Sequence, residues 1–381
     1  CFITCVSLLR ALRKLGHTDL PDLLSFLDLI GIATLCDVVP VKELNRAFIR
    51  QGLKVMRYRQ NTGLAALADV AGLDKAVGEY ECSFILGPRI NAAGRMGKSD
   101  IGVKLLIEEE HQNSVSLAMH LDELNNQRRA IEQEITADAI ERAEAQLRQN
   151  PELLALVIAN NNYHEGVLGI VAGRLREMYA MPVFVMAISK DKVAKGSGRS
   201  IPSIPLGSLV LAARQSGILI SGGGHDMAAG ASLEIDQLDP FREFLRKKIS
   251  SLISFLPQKK YEITSTISVA GCNSDLADNI VKCGPFGADQ AEPNLLLTHI
   301  SVNNVKWIGS SKSHFSALLD DGTSKPIKAI MFNAANTSIG DILKNVNELG
   351  PLKVLGKLKK DEWRGGRSIQ FVIEDIAKQF D

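Results

Sequence analysis

The sequence predicts an α/β protein built in parts: an apolar helical segment, one very long helix, a small α/β domain and a barrel of short strands. Three observations carry this. Residues 111–149 hold no proline or glycine and are rich in Ala, Leu, Glu, Gln and Arg, a composition with few ways to break a helix. Between 151 and 256, apolar strand-like runs alternate with amphipathic helical ones. From about 259 onward, short alternating runs are separated by turn clusters.

At 381 residues the chain is too long for one ordinary core, and two to three domains are expected. Its 45% hydrophobic and 23% charged content is that of a soluble globular protein. Lys+Arg 44 against Asp+Glu 43 leaves a net charge of +1, so no global field draws in a polyanion and any nucleic-acid site must be a local patch. Six cysteines (Cys1, Cys5, Cys36, Cys82, Cys272, Cys283) form no C-x-x-C pair and read as reduced and mostly buried, which points to a cytoplasmic protein. No apolar run approaches the length of a membrane span, and no signal-peptide pattern is present. The chain opens at Cys1, without a methionine and straight into a helical pattern, which reads as a cut rather than a natural beginning.

Phe2, Ile3, Val6, Leu8, Leu9 and Leu12 recur at helical spacing, and Gly16 is placed to end that helix. A second helix, apolar on most sides, runs from about Pro21 to Thr34 and empties into Cys36-Asp37-Val38-Val39-Pro40; a third passes through Gln51-Gly52-Leu53. A carboxylate at the end of an apolar element must be paired, hydrogen-bonded or bound to a metal, because burying it alone is expensive. The plain alternative for Asp37 is a turn cap. From Glu79 a short helix leads into Gly87-Pro88-Arg89-Ile90-Asn91-Ala92-Ala93-Gly94-Arg95-Met96-Gly97-Lys98, a stretch with three cations, one amide, no carboxylate and an open backbone. Arg89 and Arg95 each present a planar donor fork to a phosphate. The alternative is a solvated loop whose arginines pair with acids elsewhere. The 111–149 helix follows, about 60 Å long at ~1.5 Å per residue, with Leu117, Leu121, Leu124, Ile131, Ile135 and Ile140 at helical spacing. It reads as a strut.

After Asn150-Pro151, Leu153 to Ala159 is a buried-strand run, Asn160 to Gly166 a loop, Val167 to Tyr179 an amphipathic helix and Val183 to Ile188 a second strand. Lys195-Gly196-Ser197-Gly198-Arg199-Ser200 reads as a Gly/Ser loop, and Leu206 to Arg214 as a helix. Ser221-Gly222-Gly223-Gly224-His225 then reads as a sharp turn. Three consecutive glycines cost backbone entropy and make sense where a chain turns tightly or a ligand approaches the main chain. His164, Ser197/Arg199 and His225 thus sit in three polar loops at the ends of successive strands, where ligands of open α/β sheets gather.

Asp239 to Leu256 is a basic helix. Beyond it, strand candidates at Leu295–Trp307, His314–Leu319, Ile327–Phe332, Leu352–Leu358 and Ser368–Ile373, with one short helix (Asp275 to Lys282), suit a Greek-key barrel of oligonucleotide-binding (OB) type. Lys357, Lys359, Lys360, Trp363, Arg364 and Arg367 place cations around one aromatic, the composition of a single-strand platform. A solvated hairpin with a buried Trp has the same composition.

In order, the segments C-D-V-V-P, G-P-R-I-N-A-A-G-R, Y-H-E-G-V-L-G-I-V-A-G-R-L, G-S-G-R-S-I, G-G-G-H-D-M-A-A-G and the late W-R-G-G-R-S-I-Q resemble the RecJ exonucleases of the DHH phosphoesterase superfamily. The resemblance runs over essentially the whole chain. It implies a single-strand-specific 5′→3′ DNA exonuclease of repair and recombination, using a two-metal centre of Mn²⁺ or Mg²⁺. Its partners would be single-stranded DNA, a single-strand-binding protein and a repair helicase; it would be a monomer with no membrane association. Asp37 matches the one metal-ligand motif found here. The Asp-x-Asp-x-x-Gly and Asp-His-His motifs that supply the other ligands in the family are absent from this sequence, and its catalytic residues are left unassigned. By the same resemblance Arg89, Asn91 and Arg95 would face the nuclease centre, and Ser197 and Arg199 would hold a 5′-terminal phosphate. His164, Gly222, Gly223 and His225 would wall a path that admits one strand.

The expected division is 1–60, the remnant of a DHH domain; 61–150, a helical connector with the long bridging helix; 151–256, a DHH-associated nucleic-acid-binding domain; and 257–381, the OB barrel. Two other readings stand beside the first. One is a nuclease-inactive protein that binds single-stranded nucleic acid or a partner. The other is a DHH-type phosphodiesterase of short oligonucleotides, which is not expected to carry the long helix and the barrel.

Overall fold

A computed structural model describes residues 1–252, 260–309, 312–345, 350–361 and 368–379. In chain order the elements begin with α1 (Phe2–Lys14), α2 (Leu27–Cys36), α3 (Glu43–Met56), α4 (Thr62–Val70) and a π turn (Glu81–Leu86) continuous with α5 (Gly87–Arg95). Next come α6 (Asp100–Ile107), α7 (His111–Gln149), β1 (Leu156–Asn160), α8 (Leu168–Tyr179), β2 (Val183–Ile188) and β3 (Val193–Arg199). They are followed by α9 (Leu206–Gln215), β4 (Ser221–His225), β5 (Ala228–Glu234) and α10 (Leu238–Leu252). The last group is β6 (Ser265–Thr266), α11 (Ser274–Lys282), β7 (Leu295–Ile308), β8 (His314–Asp320), β9 (Ile327–Met331), α12 (Ser338–Lys344), β10 (Leu352–Asp361) and β11 (Ser368–Lys378). Contacts group residues 56–260 into one unit and residues 1–55 with 261–381 into another. No helix among the described residues is long and apolar enough to cross a membrane.

The 56–260 unit is laid along α7. That helix covers the predicted span, with Leu121, Leu124, Ile135, Ala139 and Ala143 buried, and stops where Asn150 leaves helical geometry before Pro151. Its N-terminal half carries α4, α5 and α6, and its C-terminal half packs on α8 and β1. The sheet runs β1-β2-β3-β5-β4, with β1 parallel to β2 and every other pair antiparallel. Leu156, Ile158, Val183 and Val185 face Ile135, Ala139, Leu168, Val171 and Leu175 of α7 and α8. Val157, Phe184 and Met186 face Leu206, Val210, Phe241 and Leu245 of α9 and α10 on the other side.

Three stretches differ from their sequence reading. Residues 87–95 are helical: Pro88 sits in the first turn, where its missing N–H costs nothing, and Ala92 and Ala93 are buried, with α5 lying on α7. Residues 195–199 belong to β3, because Gly196 and Gly198 lie over Met186 and Phe184, leaving no room for larger side chains. Residues 221–225 form the edge strand β4, and the reversal into β5 falls at Asp226-Met227 instead. A strand of small residues has none of the β-branched alternation that normally announces one.

In the other unit, β7-β8-β9-β11-β10 closes into a barrel because β10 also pairs with β7; β9 and β11 are parallel, and β6 adds beside β7. This is the OB order. Leu297, Phe315, Leu319, Ala329, Val354 and Phe371 are fully buried inside it. The N-terminal helices dock beside the segment 283–289: Arg50 Nη2 donates to Gly284 O at 2.5 Å, Arg46 to Cys283 O, and Val41 N to Ala288 O at 2.8 Å.

Candidate nucleic-acid interface

Strand register fixes what the sheet presents. Arg199 pairs with Ala228, which pairs with His225; Ser197 pairs with Gly230, which pairs with Gly223; Lys195 pairs with Ser232, which pairs with Ser221. Paired residues point to one face, and alternation puts all three rows on the same face. The face is the one α8 covers, but α8 reaches β2 and β3 and leaves β5 and β4 open. A Cβ built on Gly223 would meet nothing within 4 Å, and one on Gly230 only Gly196 O at 3.8 Å. The result is a shelf whose floor is bare backbone and whose inner edge is Ser197 and Arg199. His225, exposed, stands at the far end, roughly 10 Å from Arg199 across two strand spacings.

The inner edge is cationic. Arg199 Nη1 donates to Ser197 Oγ at 2.7 Å and Gly198 O at 2.9 Å. Its Nη2 lies so close to the first turn of α8 that a Cβ on Gly169 would sit 2.6 Å away. That turn leaves backbone N–H groups without helical partners, a ready anion site when a guanidinium is alongside. Burial, with the charges of Arg95 and Arg176, holds the Arg199 guanidinium below its ordinary value. An arriving anion relieves that repulsion.

Arg95 joins the cluster from the end of α5. Its Nη1 donates to Gly166 O at 3.1 Å, and its carbonyl lies where a Gly166 Cβ would be, at 2.1 Å. His164 Nδ1 accepts from Gly166 N at 3.1 Å, so the ring's proton-bearing nitrogen is Nε2. The loop itself is tied to α7: Asp138 Oδ2 accepts from Tyr163 Oη at 2.5 Å, Asn160 Nδ2 at 3.1 Å and Arg142 Nε at 2.7 Å. Behind it, Glu132 is buried between Arg128 (Nη1–Oε2 2.7 Å) and Arg174 (Nη2–Oε1 2.5 Å), and Arg128 also donates to Asn125 Oδ1 at 3.1 Å. Burial lowers Arg128, Glu132 acts against that, and the charges of Arg95, Arg129 and Arg174 add to it.

Thus Arg95, His164, Ser197 and Arg199, drawn from three separated segments, meet at one edge, with Gly223 and His225 on the shelf beyond. Gly222 faces the opposite side, against Val210 of α9. Arg89 lies further along α5 with Nε on Asp122 at 2.8 Å and Nη1 on Ile85 O at 2.8 Å; Asn91 is exposed on the same helix. Sequence reasoning passed over Gly169, Arg128, Glu132, Arg174 and Asp138. The i, i+4 pair Arg128/Glu132 was the available signal.

The remaining predicted residues lie in the other unit. Lys359 pairs with Glu292 and Lys360 with Asp278, while Trp363 and Arg364 fall outside the described residues. Asp37 closes α2, its N–H on Ala33 O at 3.0 Å, and the chain turns after it through Val38 at φ 55°. Its side chain is exposed, so the desolvation argument for a metal or partner does not apply there. Among the described residues no three His, Cys, Asp or Glu side chains come together to hold an ion. The residues present do not build a two-metal centre by themselves.

A half-open α/β sheet with a cationic inner edge is followed in sequence by an OB barrel. Residues 150–251 match the DHHA1 domain and residues 263–375 the RecJ OB domain. The single-stranded-DNA-specific exonuclease RecJ of Bacillus subtilis (strain 168) is 30% identical over 372 residues, covering 96% of this chain and 45% of the relative. That of Escherichia coli (strain K12) is 31% identical over 387 residues, covering 98% and 66%. The crystal structure of RecJ from Thermus thermophilus in complex with Mn²⁺ is similar with a TM-score of 0.79 and 25% identity, over 96% of this chain and 51% of that one. A structure of exonuclease RecJ bound to manganese aligns with a TM-score of 0.51 and 30% identity, over 62% and 57%. The chain belongs to the RecJ family, and it spans about half to two thirds of the length of these relatives.

Proposed function

We propose that this chain supplies the strand-holding part of a single-stranded-DNA-specific 5′→3′ exonuclease acting in DNA repair and recombination. The observation that carries the reading is the convergence of Arg95, His164, Ser197, Arg199 and the first turn of α8 beside a shelf floored by Gly223 and Gly230. Arg199, Ser197 and the α8 N–H groups bind the 5′-terminal phosphate, with Arg95 neutralising the next one. Bare glycine backbone admits the sugar–phosphate chain of one strand, and His164 and His225 flank it as donors. Selection of single strands follows from exclusion of a duplex rather than from base contacts.

RecJ from Thermus thermophilus has been seen in complex with Mn²⁺ and with Mg²⁺. A divalent ion of that kind would supply an activated water to the phosphodiester. Here Asp37 is the one residue matching the family's ligand motifs, so the chain's own contribution is to bind and orient the strand, and turnover needs ligands beyond the described residues. The test uses 5′-phosphorylated single strands. The chain is expected to bind them and, with Mn²⁺ added, to release no nucleotides. Failure to bind sinks the proposal; turnover by this chain alone refutes the division of labour. The manganese-supplemented assay also separates this reading from a phosphodiesterase of short oligonucleotides, which would cleave them.

A further inference from the structure

We propose that Tyr80 and Phe84 form a base-stacking subsite for the single strand leaving the cationic cluster; this rests on the strand-holding function proposed above. The two rings lie 5.1 Å apart at 33° and are 63% and 67% exposed. The unit's other close aromatic pair among the described residues, Phe184 with Phe241, is fully buried. Two adjacent rings in water on a folded surface mark an interaction site rather than a core.

Their place on the helix says which ligand. Residues 79–95 form one continuous helix with a π turn inside it, and Tyr80, Phe84, Asn91, Gly94 and Arg95 are its exposed residues, while Cys82, Leu86, Ala92 and Ala93 are buried. Tyr80 and Phe84, and likewise Asn91 and Arg95, are four residues apart, and all four lie on the exposed side of the helix. The face therefore begins with two aromatics, continues through an amide and ends on Arg95, which is already in the cluster through Gly166. At ~1.5 Å per residue the run is roughly 20 Å. π turns interrupt α-helices chiefly at functional sites; here the turn is anchored by buried Cys82, and just ahead of it Glu81 Oε2 accepts from Gly78 N at 2.8 Å. Rings joined to a phosphate-neutralising arginine on one face fit a polynucleotide with bases and charge in alternation, and base–aromatic stacking tolerates any base.

The test measures affinity for 5′-phosphorylated oligonucleotides by anisotropy, across lengths and salt concentrations, for the full chain and its Tyr80→Ala, Phe84→Ala, Tyr80→Trp and Arg95→Ala variants. Each aromatic-to-alanine variant is expected to weaken binding about tenfold for strands of about six nucleotides or more, at ~3.4 Å per nucleotide, and to leave dinucleotides unaffected. Its salt slope should be unchanged, whereas Arg95→Ala should flatten the slope. Tyr80→Trp should restore binding, and an abasic site facing the rings should remove the effect of Tyr80→Ala. Both rings are exposed, so circular dichroism and melting should not change. Unaltered affinity in Tyr80→Ala and Phe84→Ala, with normal binding by the parent chain, overturns the subsite and leaves the strand-holding function standing; the face would then be a protein-docking surface. A parent chain that binds no single strand overturns both.

Discussion

Gly222 and Gly223 are adjacent glycines in one strand, and the structure gives their alanine variants opposite outcomes. A Cβ on Gly222 would lie 2.6 Å from Val210 Cγ1 and 3.1 Å from Gly230 O, in the packed layer between β4 and α9. Forcing a methyl group into a filled layer costs about 1–3 kcal/mol. A Cβ on Gly223 meets nothing within 4 Å, and its backbone is not in the left-handed region. Gly223→Ala should therefore stabilise the fold by about 0.4–1 kcal/mol, through the entropy of the unfolded chain. For a unit of this size that is a rise in Tm of roughly 1–4 °C, against a fall of several degrees for Gly222→Ala. Binding should run the other way. The new methyl on Gly223 occupies the shelf, and affinity for single strands should fall at least tenfold, about 1.4 kcal/mol. Melting is best followed by circular dichroism at 222 nm, since both tryptophans fall in the sequence of the other unit. If Gly223→Ala binds like the parent, the glycine row is not a ligand lane. If it destabilises as Gly222→Ala does, the assignment of faces is wrong.

Three other perturbations test the cluster. Arg199→Ala should abolish any preference for 5′-phosphate over 5′-hydroxyl ends and flatten the salt dependence by roughly 0.7 in log–log slope for each phosphate left without its cation; a preserved preference places the phosphate elsewhere. Glu132→Gln leaves Arg128 buried without its countercharge and should cost about 3–5 kcal/mol in urea unfolding, while pairing it with Arg128→Met should recover most of the loss. Asp138→Asn should loosen the His164 loop at a cost of about 1 kcal/mol, modest because the carboxylate is 36% exposed. Burial alone would raise the Asp138 carboxyl, but hydrogen bonds from Arg142, Tyr163 and Asn160 outweigh it and hold the group below the ordinary carboxylate value. Its contribution is thus present above roughly pH 4 and lost as pH falls through the depressed folded value. The gap in stability between the parent and Asp138→Asn should close in acid; a gap that stays constant to pH 2 refutes the linkage.

What the sequence made legible was what long-range packing does not alter. The 111–149 helix and the strand at 183–188 are found where composition placed them, because a span without breakers and a six-residue apolar run have few alternatives. The barrel's strands were readable from alternation, although their order around it was not. Residues 87–95 misled because glycine, proline and asparagine are turn signals by local propensity, and only burial of Ala92 and Ala93 and packing on α7 reverse it. Arg89 showed its donor fork in sequence but not Asp122, a partner 33 positions away. The same is true of Glu132, whose second cation, Arg174, arrives from another helix.

The triple glycine shows the limit most clearly, since three identical residues are there for three reasons. Gly222 makes room for Val210. Gly224 has φ 155° and lies 2.4 Å, by its absent Cβ, from Ala228 O, so no other residue fits at this point of β4. Gly223 alone has neither constraint, and the fold would accept a side chain there. Alternation along β4 puts Gly223 and His225 on the open face and Gly222 and Gly224 on the packed one. A turn, as the sequence reads, would have made all three glycines backbone devices, with the histidine held at its mouth. As a strand, the same residues separate into a packed row and an exposed row, and the histidine belongs to the second.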